Sequence, residues 1–168
     1  MSDSPPNRSN PYSSSKAIFD HEKLEVYQLE VEFIKWVTVL LKEIRTQQLP
    51  LLREACDQLD RGSLSALLNT AEGNGRRATK QRARFFDDAR GSATECAACL
   101  DALVAKDACS NERIAEGKGL LARIVSMLTK LVARFETGDG GKSHRVSEEP
   151  GDWGQLHKTW DEDEDEDE

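Results

Sequence analysis

Apolar residues recur at steps of three and four through two consecutive stretches of this chain. The first is Phe86, Ala89, Ala93, Cys96, Leu100 and Leu103; the second is Ile114, Gly117, Leu121, Ile124, Leu128, Leu131 and Phe135. That spacing follows the turn of an α-helix and draws one narrow apolar seam along each segment. Such a seam is buried only against another helix, so the chain is committed to helix-on-helix packing. Thr79 is the expected N-cap of the first segment and Ser110 of the second, which stops near Thr137 before a Gly-Asp-Gly-Gly run. Ala89, Gly91, Ser92, Ala93, Ala97 and Ala98 make the first segment thin, which lets neighbours approach closely.

Two further helical segments precede these. One begins at Pro50, a residue suited to a first helical turn, and carries Leu52, Cys56, Leu59, Ser63 and Leu67, with Leu64, Leu68 and Ala71 widening the face. Gly62 stands in its middle, at about 1 kcal/mol relative to alanine, and marks a kink or a close helix crossing. Gly73-Asn74-Gly75 supplies residues that tolerate left-handed backbone and ends the segment.

The other segment, residues 23–44, is apolar on two sides. Leu24, Tyr27, Val31, Ile34 and Leu41 form one stripe, and Val26, Leu29, Phe33, Trp36 and Leu40 form a second, roughly opposite Leu24. Polar residues are confined to a sector of about 100°. Such a helix needs two apolar partners: its own bundle and a second copy, or neighbours on both sides within one monomer. The expectation is a homo-oligomer, with Val26, Leu29, Phe33, Trp36 and Leu40 at the subunit interface.

Four such segments joined by short connections, with no strand-like alternation, predict an all-α fold: an antiparallel up-down-up-down four-helix bundle over residues 20–136. Residues 1–19, rich in Ser, Pro and Asn, and residues 137–168 are expected to be disordered. The net charge of −8 sits in Asp161–Glu168; removing those eight acids from the 31 leaves 23, equal to the 23 Lys and Arg. No signal peptide and no apolar run of about 20 residues is present, and a reduced, cytoplasmic setting is expected.

Little here points to catalysis. None of the three histidines has a Cys or His partner at ligand spacing, and no core acid begins the Glu-x-x-His pair of a di-iron bundle. Cys96-x-x-Cys99 lies inside a helix, where packing is the simpler role. Gly73-Asn74-Gly75 follows a helix and lacks the ending of a phosphate loop. No catalytic residue, metal or cofactor is expected. The positive feature is Arg76, Arg77, Lys80, Arg82 and Arg84, a run without an acid on a turn and the first part of a helix. These cations oppose the helix macrodipole, and clustered arginines attract phosphate. Two readings stand: a nucleic-acid-binding surface, or a solvated face paired with Asp87, Asp88 or acids on a neighbouring helix.

Asn69-Thr-Ala-Glu-Gly73, Arg84-Phe-Phe-Asp87, Ala89-Arg-Gly-Ser92 and Glu95, with Leu24-x-Val-Tyr-Gln-Leu29, resemble the four-helix bundle proteins of bacterial 23S rRNA intervening sequences. The resemblance covers about residues 20–136. It implies a left-handed bundle assembling as a ring, usually a pentamer, and a relation to the accessory variability determinant of diversity-generating retroelements, a basic barrel that binds reverse transcriptase and nucleic acid. The family's usual Ser-Ile-Pro is here Leu64-Ser65-Ala66. Glu72 and Glu95 match its signature and are read as hydrogen-bonding groups inside the bundle. Two functions follow: a non-enzymatic, ring-forming adaptor that contacts RNA, DNA or a nucleic-acid enzyme such as a reverse transcriptase through Arg76–Arg84, or a protein–protein scaffold docking through Trp153 and Trp160. In either, the acidic run is also able to fold back onto the arginine cluster and mimic a phosphate chain.

Overall fold

The computed structural model describes residues 17–137. A 3-10 turn at Asp20–Lys23 leads into α1 (Glu25–Arg45). A second, at Pro50–Leu52, leads into α2 (Arg53–Gly75), and α3 (Thr79–Ala105) and α4 (Asn111–Glu136) follow. The described residues are all-helical with no strand. The expectations of disorder for residues 1–16 and 138–168 fall outside the described residues. Among the first described residues, the backbone N–H groups of Ile18 and Phe19 donate to Glu22 Oε2 at 2.7 and 2.9 Å.

Each helix shares a face with two others: α1 with α2 and α4, and α3 with α2 and α4. The α3 seam is buried throughout, from Phe86 to Leu103. On α4, Ile114, Gly117, Leu121, Ile124 and Leu128 are buried, while Leu131 and Phe135 are half-buried. Ser110 caps α4 by accepting from the Arg113 backbone N–H at 3.3 Å. Ala78, not Thr79, is the N-cap of α3, and it offers no side-chain acceptor.

Three glycines set how near the helices come. Gly62 lies inside α2, where an added Cβ would stand 2.9 Å from Cys96 Sγ, so it marks a close crossing of α2 and α3. Gly73 is also buried, 3.1–3.2 Å from Phe85 and Phe86 on the same measure. The Gly73-Asn74-Gly75 stretch ends α2 as expected, at Gly75, but without left-handed backbone: the helix stops where Arg76 turns to extended backbone (φ −78°). The left-handed, non-glycine residues are instead Gln48 and Asp107, one in each of the other two connections. Gln47 Nε2 donates to Ala108 O at 2.9 Å, so those two connections meet at one end of the bundle. Gly117 on α4 is the third close approach: a methyl there would overlap the indole of Trp36.

Two faces differ from the sequence expectation. Leu64 and Leu68 do not widen the core face of α2; they are 52% and 57% exposed, and the core continues through Ala66, Thr70 and Gly73. On α1, Val26, Leu29, Phe33 and Leu40, expected at a subunit interface, are 0–5% exposed in the monomer's own core, and Trp36 is half-buried beside them. The physical reason is the notch at Gly117, which draws Trp36 and its stripe toward α4. Leu24, Tyr27, Val31 and Ile34, from the other stripe, are the half-exposed ones.

Candidate nucleic-acid interface

The turn after α2 carries Arg76 and Arg77, the start of α3 carries Lys80, Arg82 and Arg84, and the structure sorts these five cations into two kinds. Arg82 is structural. Its Nε donates to Gly73 O at 3.2 Å, an oxygen that also accepts from the Arg76 backbone N–H at 3.3 Å, and its terminal nitrogen donates to Asn74 O at 2.6 Å at the end of α2. Its guanidinium also lies 4.9 Å from the Phe135 ring centroid, tying α4 to this end. Arg76 is occupied as well, paired with Glu72 and lying 4.9 Å from the Phe85 ring.

Arg77, Lys80 and Arg84 are exposed and carry no ion pair among the described residues. Lys80 and Arg84 are one turn apart on α3 and share a face, with Arg77 just before the helix. The first turn of α3 contains no acid and its N-cap gives no side-chain acceptor. The positive end of the helix dipole is therefore left uncompensated beside three free cations. Asp87, one turn beyond, is taken by Arg90 at 2.6 Å and does not neutralise them. That arrangement attracts an anionic backbone: exposed cations for phosphate charge, and helix N–H groups for phosphate oxygens.

The two kinds make opposite predictions for stability. Arg82→Ala should destabilise the bundle by about 1–2 kcal/mol, because it removes two hydrogen bonds at the end of α2 and uncovers Phe135. Arg77→Ala should change stability by less than about 0.5 kcal/mol. Urea unfolding of the two variants separates them.

Other residues singled out from sequence do not converge here. Cys96 packs at the α2–α3 crossing, and burial pushes its thiol up to about 12; burial also raises Cys99. No group of His, Cys, Asp and Glu among the described residues is arranged to hold a metal ion. No helix among them is long and apolar enough to cross a membrane. Glu72 and Glu95 are exposed, Glu95 accepting from Gln58 Nε2 at 3.3 Å, so neither lies inside the bundle.

The internal carboxylate is Glu30, which the sequence reading passed over. It is 1% exposed between α1 and α2, accepts from Thr70 Oγ1 at 2.7 Å, and its Oε2 meets no hydrogen-bonding group among the described residues. Burial pushes its carboxyl up to about 8, with the Thr70 hydrogen bond acting weakly in the other direction. The signal was there: Glu30 stands four after Val26 and three before Phe33, inside the apolar seam.

A family model described as 23S rRNA-intervening sequence protein matches residues 22–130. No curated protein and no solved structure matches the chain.

Proposed function

The chain belongs to the 23S rRNA-intervening sequence protein family, and from that premise we propose that it is a non-enzymatic adaptor that binds nucleic acid, alone or together with a nucleic-acid enzyme such as a reverse transcriptase. The observation that carries this reading is the surface at the start of α3, where Arg77, Lys80 and Arg84 stand exposed beside an uncapped helix end. The helices run antiparallel in this proposal. Gly73 facing Phe86, Ser65 facing Ser92 and Gly62 facing Cys96 support it for α2 and α3. Trp36 facing Gly117 and Glu25 facing Arg123 support it for α1 and α4.

The adaptor assembles as a ring-shaped homo-oligomer, a pentamer, which repeats the cationic surface around the ring. Leu64 and Leu68, one turn apart and more than half exposed on α2, favour a second apolar partner for the bundle. That face replaces the Val26–Leu40 stripe as the surface offered to a neighbouring copy.

Filter binding of a mixed-sequence single-stranded RNA across a salt series tests the reading. The parent should bind with an affinity that falls steeply with salt. Replacing Arg77, Lys80 and Arg84 together by alanine should lower the log–log salt slope by roughly 2, from about 0.7 per phosphate contact. Absence of binding, or an unchanged slope in the triple variant, would leave a protein–protein scaffold as the function.

A further inference from the structure

We propose that residues 153–168 of this chain dock in cis into the groove between α1 and α4. The groove has a volume of about 720 Å³ and lies between the start of α1 and the second half of α4. Leu24, Met127 and Leu131 give it an apolar floor, and Arg123, Lys130 and Arg134 line it with positive charge. Arg123, Met127, Lys130 and Arg134 follow helical spacing, so cations and floor form one stripe of α4. Arg123 is drawn toward Glu25 at 3.6 Å, whereas Lys130 and Arg134 have no carboxylate partner among the described residues.

The segment has the complementary chemistry in the same order of size. Trp153, Leu156 and Trp160 are spaced by three and four, and Asp161–Glu168 follow without a single cation. Tryptophan and leucine suit the floor, and the acids suit Lys130 and Arg134. Arg77, Lys80 and Arg84 would attract the acids too, but they stand exposed on a helix end without the apolar floor that the two tryptophans require. The groove meets both demands.

Reach and effective concentration favour the same chain over a second copy. α4 ends at Glu136, beside Arg134. Residues 138–152 span up to roughly 50 Å when extended, whereas Arg123 and Arg134 are about 17 Å apart along the helix. A linker of that length holds the segment at an effective concentration in the millimolar range. This inference stands apart from the nucleic-acid reading, since it uses a different face of the bundle.

Zero-length carbodiimide cross-linking of the full chain, read by peptide mass spectrometry, tests it. The expected product joins Lys130 to an acid within 161–168 at monomer mass. Its yield should not depend on protein concentration and should be lost in about 0.5 M salt. Arg123→Glu with Arg134→Glu should lower the yield by about tenfold, through two opposed exposed charges. The same variant should raise acrylamide quenching of tryptophan fluorescence, with Trp36 contributing equally in both proteins. Trp153→Ser with Trp160→Ser, which leaves the bundle untouched, should also reduce the cross-link. A link at Lys80 in place of Lys130, a product of dimer mass, or no link with unchanged quenching would each overturn the proposal.

Discussion

Gly117→Ala should melt roughly 10 °C below the parent, although alanine is the better helix former. The two effects have opposite signs, which makes the result decisive. Helix propensity alone predicts a gain of about 1 kcal/mol for alanine in a helix interior. Against it, a methyl at residue 117 would overlap three carbons of the Trp36 ring. That ring has no simple escape: it stacks on Phe33 with centroids 5.9 Å apart, and the Arg113 guanidinium lies 5.5 Å from its centroid. Forcing the indole out, or prising α4 from α1, belongs with overpacking changes of about 1–3 kcal/mol and above. Trp36→Leu would open the space, so Gly117→Ala in that background should be neutral or stabilising. A double-mutant cycle by thermal unfolding reads this as a coupling of at least about 1 kcal/mol. Equal effects in both backgrounds would show that the notch does not set the α1–α4 distance.

The same notch explains which parts of the fold were legible. The α3 and α4 seams each have one apolar face, so periodicity alone placed Phe86–Leu103 and Ile114–Leu128 in the core. α1 has two such faces, and a helical wheel ranks them equally. The choice is made by partners remote in sequence, Gly117 for Trp36 and Thr70 for Glu30, and no local pattern announces those pairings. Leu64 and Leu68 misled for a related reason: their spacing fits helix two, but α2 turns its glycine and alanine side inward because Gly62 and Gly73 admit α3 so closely.

The candidate site was legible as a charge cluster and not as a division of labour. Five cations looked equivalent in sequence. Arg82 is consumed by carbonyls eight and nine residues back, and Arg76 by Glu72 one turn before it. The uncompensated helix end beside the remaining three depended on Ala78, rather than Thr79, holding the cap position. A one-residue shift in a helix boundary lies inside the ordinary uncertainty of pattern reading, yet here it decides whether the first amides of α3 are free for an anion.

Glu30 carries the second large effect, on the pH dependence of stability. Its carboxyl is raised from 4.5 to about 8 by burial, so the folded state holds a proton that the unfolded state releases. A raised folded value means stability is fully present below about pH 4.5, declines as pH rises, and reaches its floor above about pH 8. Across that window the slope approaches 1.4 kcal/mol per pH unit, a total of order 4–5 kcal/mol. Few other resolved groups compete inside it. Asp20, Glu22 and Glu112 are lowered and act below the window, whereas the raised thiols act above their ordinary value of 9.0. Glu30→Gln keeps an acceptor for Thr70 at nearly the same volume and removes the titration. Guanidinium unfolding at pH 5 should find parent and variant within about 1 kcal/mol, since both side chains are then neutral. At pH 8.5 the variant should be the more stable by several kcal/mol. Parallel pH profiles for the two proteins would mean that Glu30 is ionised in the folded state and that a cation not paired with it in this structure supports it.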